Sequence, residues 1–340
     1  MTATDLHNRP LVTFAVFAYN QERYIREAVE GAFAQTYEPL EIILSDDCSR
    51  DRTFNIMQDM AANYKGPHVV RVRRNANNIA TFGHLMSVCR ESAGEYIVVA
   101  AGDDISHAER TTKIVSFMLR NRLSAASSIA ERFAGEGGNN RSLGLTTPIY
   151  TRYDRIFSDR SVVRIHGATA AYRKSALPLD IPVTQRLLTE DTVLETYFAW
   201  AAERVEFLHE NLIYYRVHAD NTSHRMAADS SSEIANSEIR LCRMKGEAAK
   251  SIEFLMECII REDAELHNET NREILLRASR KLSYLRKRME WYDLSLFQRI
   301  RIFREFNYYD GFFGGLSRLM GMKAYVTTKK TINLIKQSGN

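Results

Sequence analysis

Short apolar runs alternate with helically spaced apolar positions over the first third of the chain. Residues 11–18 form one such run between Pro10 and Asn20, and residues 42–44, 69–72 and 96–101 repeat it. Runs of this length bounded by turn-forming residues read as buried strands. Helical spacing fills the intervals around residues 25–34, 53–62 and 82–92. The pattern β-α-β-α-β-α-β predicts an α/β fold with a mainly parallel sheet flanked by helices on both faces. Ligands of such sheets bind beyond the carboxyl ends of the strands. The polar positions after each run therefore carry the interest: Tyr19 and Asn20, then Asp46 and Asp47, then the segment 75–78, then Asp103 and Asp104.

Farther along, residues 134–140 are rich in Gly and Asn, which marks a loop and a change of organisation. A Gly-containing segment follows at 166–173, and residues 187–215 combine an acidic turn with a helix carrying Tyr197, Phe198 and Trp200. Beyond about residue 230 the chain becomes long, charged and helical, with Leu275, Leu276, Leu282 and Leu285 at helical spacing. The expected organisation is one domain over 1–230, with halves of about 10–125 and 126–230, and a helical, basic C-terminal region over 231–340.

Composition narrows the class. With 45% hydrophobic and 26% charged residues among 340, the chain is neither disordered nor fibrous nor multispanning. No apolar run reaches the roughly 20 residues that cross a bilayer, and the N-terminal residues are polar and charged, so a cytoplasmic location is expected. Four widely spaced cysteines without a CxxC pair suit free thiols better than zinc ligands or a disulfide framework. The net charge of +4 is concentrated at the C-terminus, where residues 291–340 hold eight basic and three acidic side chains. There Leu294, Phe297, Ile300, Phe303 and Leu316 alternate with Arg299, Arg301, Arg304 and Arg318. That pattern packs on the catalytic domain, joins a second subunit, or lies peripherally on the anionic inner face of a membrane.

Two adjacent carboxylates at a strand end, Asp103 and Asp104, cannot both be buried without a counter-charge. They belong either to a solvated turn or to a site for Mg²⁺ or Mn²⁺, which use one or two protein carboxylates and complete their shell with water and phosphate oxygens. Asp46 and Asp47, in SDDCSRDRT, pose the same choice, with a helix-capping cluster as the simpler reading. A phosphoacceptor receiver domain also gathers acids at strand ends, but it is much shorter and leaves Glu190-Asp191 unexplained.

In order along the chain, VTFAVFAYNQERYIREAV, LEIILSDDCSRDRT, NANNIATFGHLM, AGEYIVVAAGDDI, LLTEDTVLETYFAW and YYRVHADNTS resemble the family 2 glycosyltransferases of the nucleotide-diphosphosugar transferase superfamily. The resemblance covers about residues 11–225 and implies the GT-A fold, with a nucleotide-sugar half and an acceptor half. It places Ala18 and Tyr19 near the nucleotide base, Asp46 on the uracil or thymine N3–H, and Asn78 in the donor pocket. It makes Asp103 a ribose or metal contact, Asp104 the principal metal ligand, and Asp191 the general base. Arg216 and His218, from YRxHxxN, would meet the diphosphate or metal. His166, Gly167, Glu190 and Trp200 would line the acceptor side.

The implied activity is inverting transfer from a UDP- or dTDP-sugar to a glycan or lipid-linked glycan, with Mn²⁺ or Mg²⁺, in a setting of bacterial surface polysaccharide synthesis. One base suffices for such a displacement, because a metal-bound nucleoside diphosphate leaves without protonation. No nucleic-acid partner is expected. Departures from the family pattern are Ala80 where a Gly is common, His84 where an Asn is common, and Ala101 in place of the first acid of D-x-D. Rival readings are a catalytically silent glycan-binding scaffold and a nucleotidyltransferase. The latter lacks its Gly-rich basic loop, since Ala18-Tyr19-Asn20-Gln21 follows the first strand.

Overall fold

A computed structural model describes residues 9–135, 141–146, 165–218 and 231–262, together with parts of 276–302. Two compact units divide the chain. One comprises residues 1–150 and 162–217, the other residues 151–161 and 218–340.

In the first unit the expected alternation is present. Strands β1 (Val12–Ala18), β2 (Leu40–Asp46), β3 (Val69–Arg74) and β4 (Tyr96–Ala101) are joined by helices α1 (Ile25–Phe33), α2 (Thr53–Asn63) and α3 (Ala80–Glu91). Parallel pairing of β1 with both β2 and β4, and of β2 with β3, gives the order β3-β2-β1-β4. β1 and β2 are covered on both faces, which explains their largely apolar sequences, and the buried polar side chains Thr13 and Glu41 are bonded to each other at 2.6 Å. α1 turns Ile25, Ala28, Val29 and Ala32 toward them at spacings of three and four. Each fully buried Phe14, Ile42 or Leu44 contributes about 1.5–3 kcal/mol of apolar transfer energy.

The sheet continues past β4 with strands that the apolar pattern did not mark. These are β5 (Ile105–Ser106), β6 (Ala125–Ala134), β7 (Arg141–Thr146), β8 (Ala171–Arg173) and β9 (Val205–Arg216), with α4 (Arg110–Asn121) and α5 (Glu190–Trp200) among them. β8 lies antiparallel between β4 and β6, and β9 runs parallel to β6 and antiparallel to β5. The result is a nine-stranded, mixed but mostly parallel sheet flanked by helices. β3 is its terminal strand, with Val69 64% exposed and Arg71, Arg73 and Arg74 along it.

The second unit contains α6 (Ser231–Glu262), whose Ile252, Phe254, Leu255 and Ile259 are buried. Tyr284, Leu285 and Trp291 are buried in the same unit, where Lys245 Nζ donates to Tyr284 Oη at 2.8 Å and Arg299 donates to the Trp291 carbonyl at 3.0 Å. Among the described residues, no helix is long and apolar enough to cross a membrane. Phe303, Leu316, Arg304 and Arg318 of the expected amphipathic segment lie outside the described residues, while Phe297 is exposed.

Candidate active site

The sheet order places the change of winding between β1 and β4, so a crevice opens at their carboxyl ends. Ala18 closes β1 in the interior and Tyr19 stands at the rim, 44% exposed. The loops after β1 and β2 are laced together. Asn20 N–H donates to Ser49 Oγ at 2.8 Å, Arg50 N–H to Asn20 Oδ1 at 2.8 Å, and Gln21 N–H to Thr53 Oγ1 at 2.7 Å. Asn20 adopts φ 52°, a left-handed conformation that Asn tolerates better than most residues.

Asp46, wholly buried at the end of β2, accepts the Ser49 N–H at 2.9 Å and pairs with Arg74 Nε at 3.1 Å, both through Oδ2. Its Oδ1 is buried without a hydrogen-bond partner among the described residues. Asp47 differs, since all its polar atoms are used. Its N–H donates to the Ala18 carbonyl, and its carboxylate accepts Asn75 Nδ2 at 2.8 Å, Ile79 N–H at 3.0 Å and Ala80 N–H at 3.1 Å. Its own carbonyl accepts Asn78 Nδ2 at 3.2 Å. A carboxylate on the otherwise orphan amides at the start of α3 satisfies them and complements the helix dipole. Ala80 stands there at φ 62°, in the left-handed region that favours glycine.

Beneath this loop lies a buried polar chain. His84 Nε2 is 2.5 Å from Ser45 Oγ, which also accepts Arg73 Nη1 at 2.8 Å, and Arg73 Nη2 donates to Asn75 Oδ1 at 2.8 Å. Burial and then the Arg73 charge push the His84 pKa down to about 3, so its ring is neutral.

After β4 the chain turns through Gly102, where a Cβ would lie 2.6 Å from Gln21 Oε1 and 3.0 Å from the Ala18 side chain. Asp103 and Asp104 follow, both buried. Asp104 Oδ1 accepts the Arg216 N–H at 2.9 Å, while Oδ2 is buried with no hydrogen-bond partner among the described residues. Burial, and next the neighbouring Asp103 charge, hold the Asp104 carboxyl well above the usual range, against the opposing pulls of Arg110 and Arg216. Even with two arginines close by, Asp104 keeps this upward shift.

Arg216, at the end of β9, faces inward. Nε donates to the Asp103 carbonyl at 2.9 Å, Nη1 to the Gly135 carbonyl, and Nη2 pairs with Glu27 at 3.0 Å. The guanidinium also sits 4.4 Å from the Phe133 ring centroid and 5.0 Å from that of Tyr24. Arg110 is wholly buried, bonded to Ser106 Oγ and to the carbonyls of Val99 and Ala168. Burial brings its pKa down to about 9, with Asp104 opposing. Neither Arg110 nor Glu27 stood out in the sequence, where a helical Arg or Glu has no mark that separates it from a surface residue.

Farther along the chain, Glu190 and Asp191 open α5. Asp191 Oδ1 accepts the Thr192 N–H at 2.7 Å. The Glu190 carboxylate occupies the space over Gly167, where any Cβ would collide with its Oε1, and it lies beside the Thr81 hydroxyl. Burial first and Asp191 second push its pKa up to about 7. The wholly buried Tyr172 hydroxyl has no hydrogen-bond partner among the described residues, and burial and then Glu190 and Asp191 raise its pKa. His166 is exposed, edge-on to Tyr215 at 5.7 Å. Trp200 ends α5, about 13 Å along the axis from Asp191 at ~1.5 Å per residue, and packs on Tyr197.

The structure thus gathers Ala18, Tyr19, Asp46, Asp103 and Asp104 at the strand ends, with Asn78 held on the loop bonded to Asp47 and Arg216 behind Asp103 and Asp104. Gly167 and Glu190 are in contact, with Asp191 adjoining. His218 belongs to the second unit, and Asn221 lies outside the described residues. Among the described residues no three His, Cys, Asp or Glu side chains cluster as a closed metal cage. Asp103 and Asp104, with one buried oxygen left over, fit the open site of a hard divalent cation that takes few protein ligands.

Residues 13–178 match the model of glycosyl transferase family 2. The protein Rv1520 of Mycobacterium tuberculosis is 31% identical over 216 residues, which cover 62% of this chain and 60% of that protein. The fold is similar to that of a mannosyltransferase from Pyrobaculum calidifontis in complex with GDP-Man and Mn²⁺, with TM-score 0.53, 17% identity, and coverage of 97% and 88% of the two chains. It is also similar to residues 1–349 of Staphylococcus aureus TarS in complex with UDP-GlcNAc, with TM-score 0.50, 14% identity, and coverage of 97% and 92%.

Proposed function

We propose that the chain is a family 2 glycosyltransferase with the GT-A fold, and that it transfers a sugar from a UDP- or dTDP-sugar to a glycan or lipid-linked glycan, with inversion at the anomeric carbon. The observation that carries this reading is the buried Asp103–Asp104 pair, whose Asp104 Oδ2 has no hydrogen-bond partner among the described residues.

Asp104, with Asp103 beside it, would hold Mn²⁺ or Mg²⁺. When bound, such a cation neutralises the charge that develops on the departing diphosphate. Arg216 fixes the carboxylates through its bonds to Asp104 Oδ1 and the Asp103 carbonyl, and so acts on the donor through them. Asp46 Oδ1, buried and lacking a partner, suits a donor such as a pyrimidine N3–H. Ala18 and Tyr19 flank that base, and Asn78 borders the pocket.

Asp191 takes the proton from an acceptor hydroxyl. The acceptor oxygen then forms a bond to the anomeric carbon on the face opposite the leaving group, and the bond from that carbon to the diphosphate oxygen breaks with its electron pair. His166, Gly167, Glu190 and Trp200 belong to the acceptor side. Complexes of the two solved relatives with nucleotide sugars, one with Mn²⁺, support the donor class and the cation. Surface-polysaccharide synthesis at the cytoplasmic face of a membrane fits that chemistry, with the C-terminal region as membrane contact or subunit interface.

A panel of UDP-, dTDP- and GDP-sugars with Mn²⁺ tests the proposal. Release of a nucleoside diphosphate, dependent on metal and acceptor, is the expected result. Release of pyrophosphate would instead identify a nucleotidyltransferase, and absence of any turnover together with glycan binding would identify a silent scaffold.

A further inference from the structure

We infer that Asp47 and Thr81 are positioning residues for the acidic pair at the start of α5, acting through the first turn of α3 rather than on the donor. The inference rests on the assignment of Glu190 and Asp191 to the acceptor side proposed above.

Asp47 lies at the nucleotide edge of the sheet, where a carboxylate invites assignment to the ligand. Its geometry leaves nothing for one. The side chain is 3% exposed, and both oxygens are taken by Asn75 Nδ2 and by the Ile79 and Ala80 amides. The next two residues make the opposite connection. Thr81 Oγ1 donates to the Leu187 carbonyl at 3.1 Å and Phe82 N–H donates to the same carbonyl at 3.1 Å, with the Glu190 carboxylate the other acceptor beside the single Thr81 hydroxyl proton. Four successive residues therefore face two ways, with 79 and 80 toward Asp47 and 81 and 82 toward the segment leading into α5. The left-handed Ala80, φ 62°, is where the chain makes this reversal.

A second connection runs alongside the first. Asn78 Nδ2 donates to the Asp47 carbonyl, and its Oδ1 accepts Arg186 Nη2. Segment 186–190 is thus tied at Arg186 and Leu187 to a short stretch that Asp47 holds at its other side. Because Asp47 N–H is also bonded to Ala18 at the end of β1, the nucleotide edge and the acceptor edge are linked by hydrogen bonds alone. Movement of the strand-end loops passes to Glu190 and Asp191 through these bonds, and misplacement of about 1 Å at such a group costs up to ~100-fold in rate.

Four variants of the full chain decide it: Asp47→Asn, Thr81→Val, Thr81→Ser and the double Asp47→Asn/Thr81→Val. Amide hydrogen exchange over residues 187–192 reads the bridge without any need for turnover. Thr81→Val and Asp47→Asn are expected to speed exchange there by at least ~10-fold. They are also expected to lower kcat by ~10-fold while changing nucleoside diphosphate affinity by less than about 2-fold. Thr81→Ser, which keeps the hydroxyl, is expected to restore both. The double variant should lose no more than the worse single one, because both cut the same connection. Unchanged exchange in 187–192, unchanged kcat, or a parallel loss of nucleotide affinity overturns the inference. Should Asp47→Asn fail to fold, the Val and Ser variants carry the test by themselves. A wild-type protein that turns over no sugar nucleotide refutes the proposed function, and the exchange measurement still settles the bridge.

Discussion

Asp46-Asp47 and Asp103-Asp104 are the same dipeptide at the ends of two strands of one sheet, yet they are compensated differently. Asp46 has Arg74 at 3.1 Å and the Ser49 amide, and Asp47 has two backbone amides and an Asn amide. Around Asp103-Asp104, Arg216 contributes its backbone N–H to one oxygen and its guanidinium turns to carbonyls and Glu27. The first pair draws its compensation from the protein. In the second, Asp104 holds its proton well above the ordinary range. Carboxylates left in that condition are where a protein recruits positive charge from outside.

The largest effect that would break this contrast is expected from Asp104→Asn. Donor turnover should fall by ~10³-fold or more, while the melting temperature holds or rises, because the amide removes like-charge repulsion from a buried site. Nucleoside diphosphate release and thermal melts measure the two halves, and a variant with normal metal-dependent turnover contradicts the assignment. Asp191→Asn comes next, with kcat lower by ~10²–10⁴-fold and donor affinity unchanged, measured by steady-state kinetics and calorimetry. Gly167→Ala should cost ~10-fold in kcat with little loss of stability, since the new Cβ meets the movable end of Glu190 rather than backbone. Retained activity there would show that the seat of the Glu190 carboxylate is immaterial.

Two smaller effects sharpen the comparison through pH. Glu190 binds its proton more tightly folded than unfolded, with a pKa of about 7 against an ordinary 4.5. Its contribution is therefore fully present below about 4.5 and is lost as pH rises through 7, at roughly 1.4 kcal/mol per unit of difference. Asp104, also raised, tilts stability the same way. His84 has the opposite sign, since its pKa is about 3 folded against 6.5, and its contribution is lost as pH falls below about 6.5. Glu190→Gln should flatten the decline in unfolding free energy between pH 4.5 and 7, and His84→Gln the decline below 6.5, both followed by denaturant melts across pH. Unaltered slopes would remove these residues from the balance.

The parallel half of the fold was legible because β1, β2 and β4 are buried on both faces and written around short apolar runs. β8 is three residues long, and β9 mixes Glu206, His209, Glu210 and Asn211 among its apolar positions. Their places between β4 and β5 depend on contacts with distant segments, which no local period records. Site residues followed the same division. Asp46, Asp103 and Asp104 were found by standing at strand ends, whereas Arg110 and Glu27 act through burial that only the folded chain creates. Arg216 was visible as a candidate, but the inward direction of its guanidinium depends on the positions of Gly135, Glu27 and the Phe133 ring.

β3 carries a consequence for the protein's life before and between folding events. It ends the sheet, and a terminal strand offers its outer row of backbone donors and acceptors to any other extended chain. The exposed Val69 is the kind of residue that would welcome such an addition. From Arg71 onward, Arg71, Arg73 and Arg74 are paired inward to Glu41, Glu91 and Asp46. A second molecule attempting to extend the sheet meets a fixed row of guanidinium groups, each already neutralised on its inner side and so with little reason to leave. Replacing them with apolar residues would convert a guarded flank into a template for aggregation, a hazard of concentration and solubility that a measurement of folding stability on dilute protein would pass over.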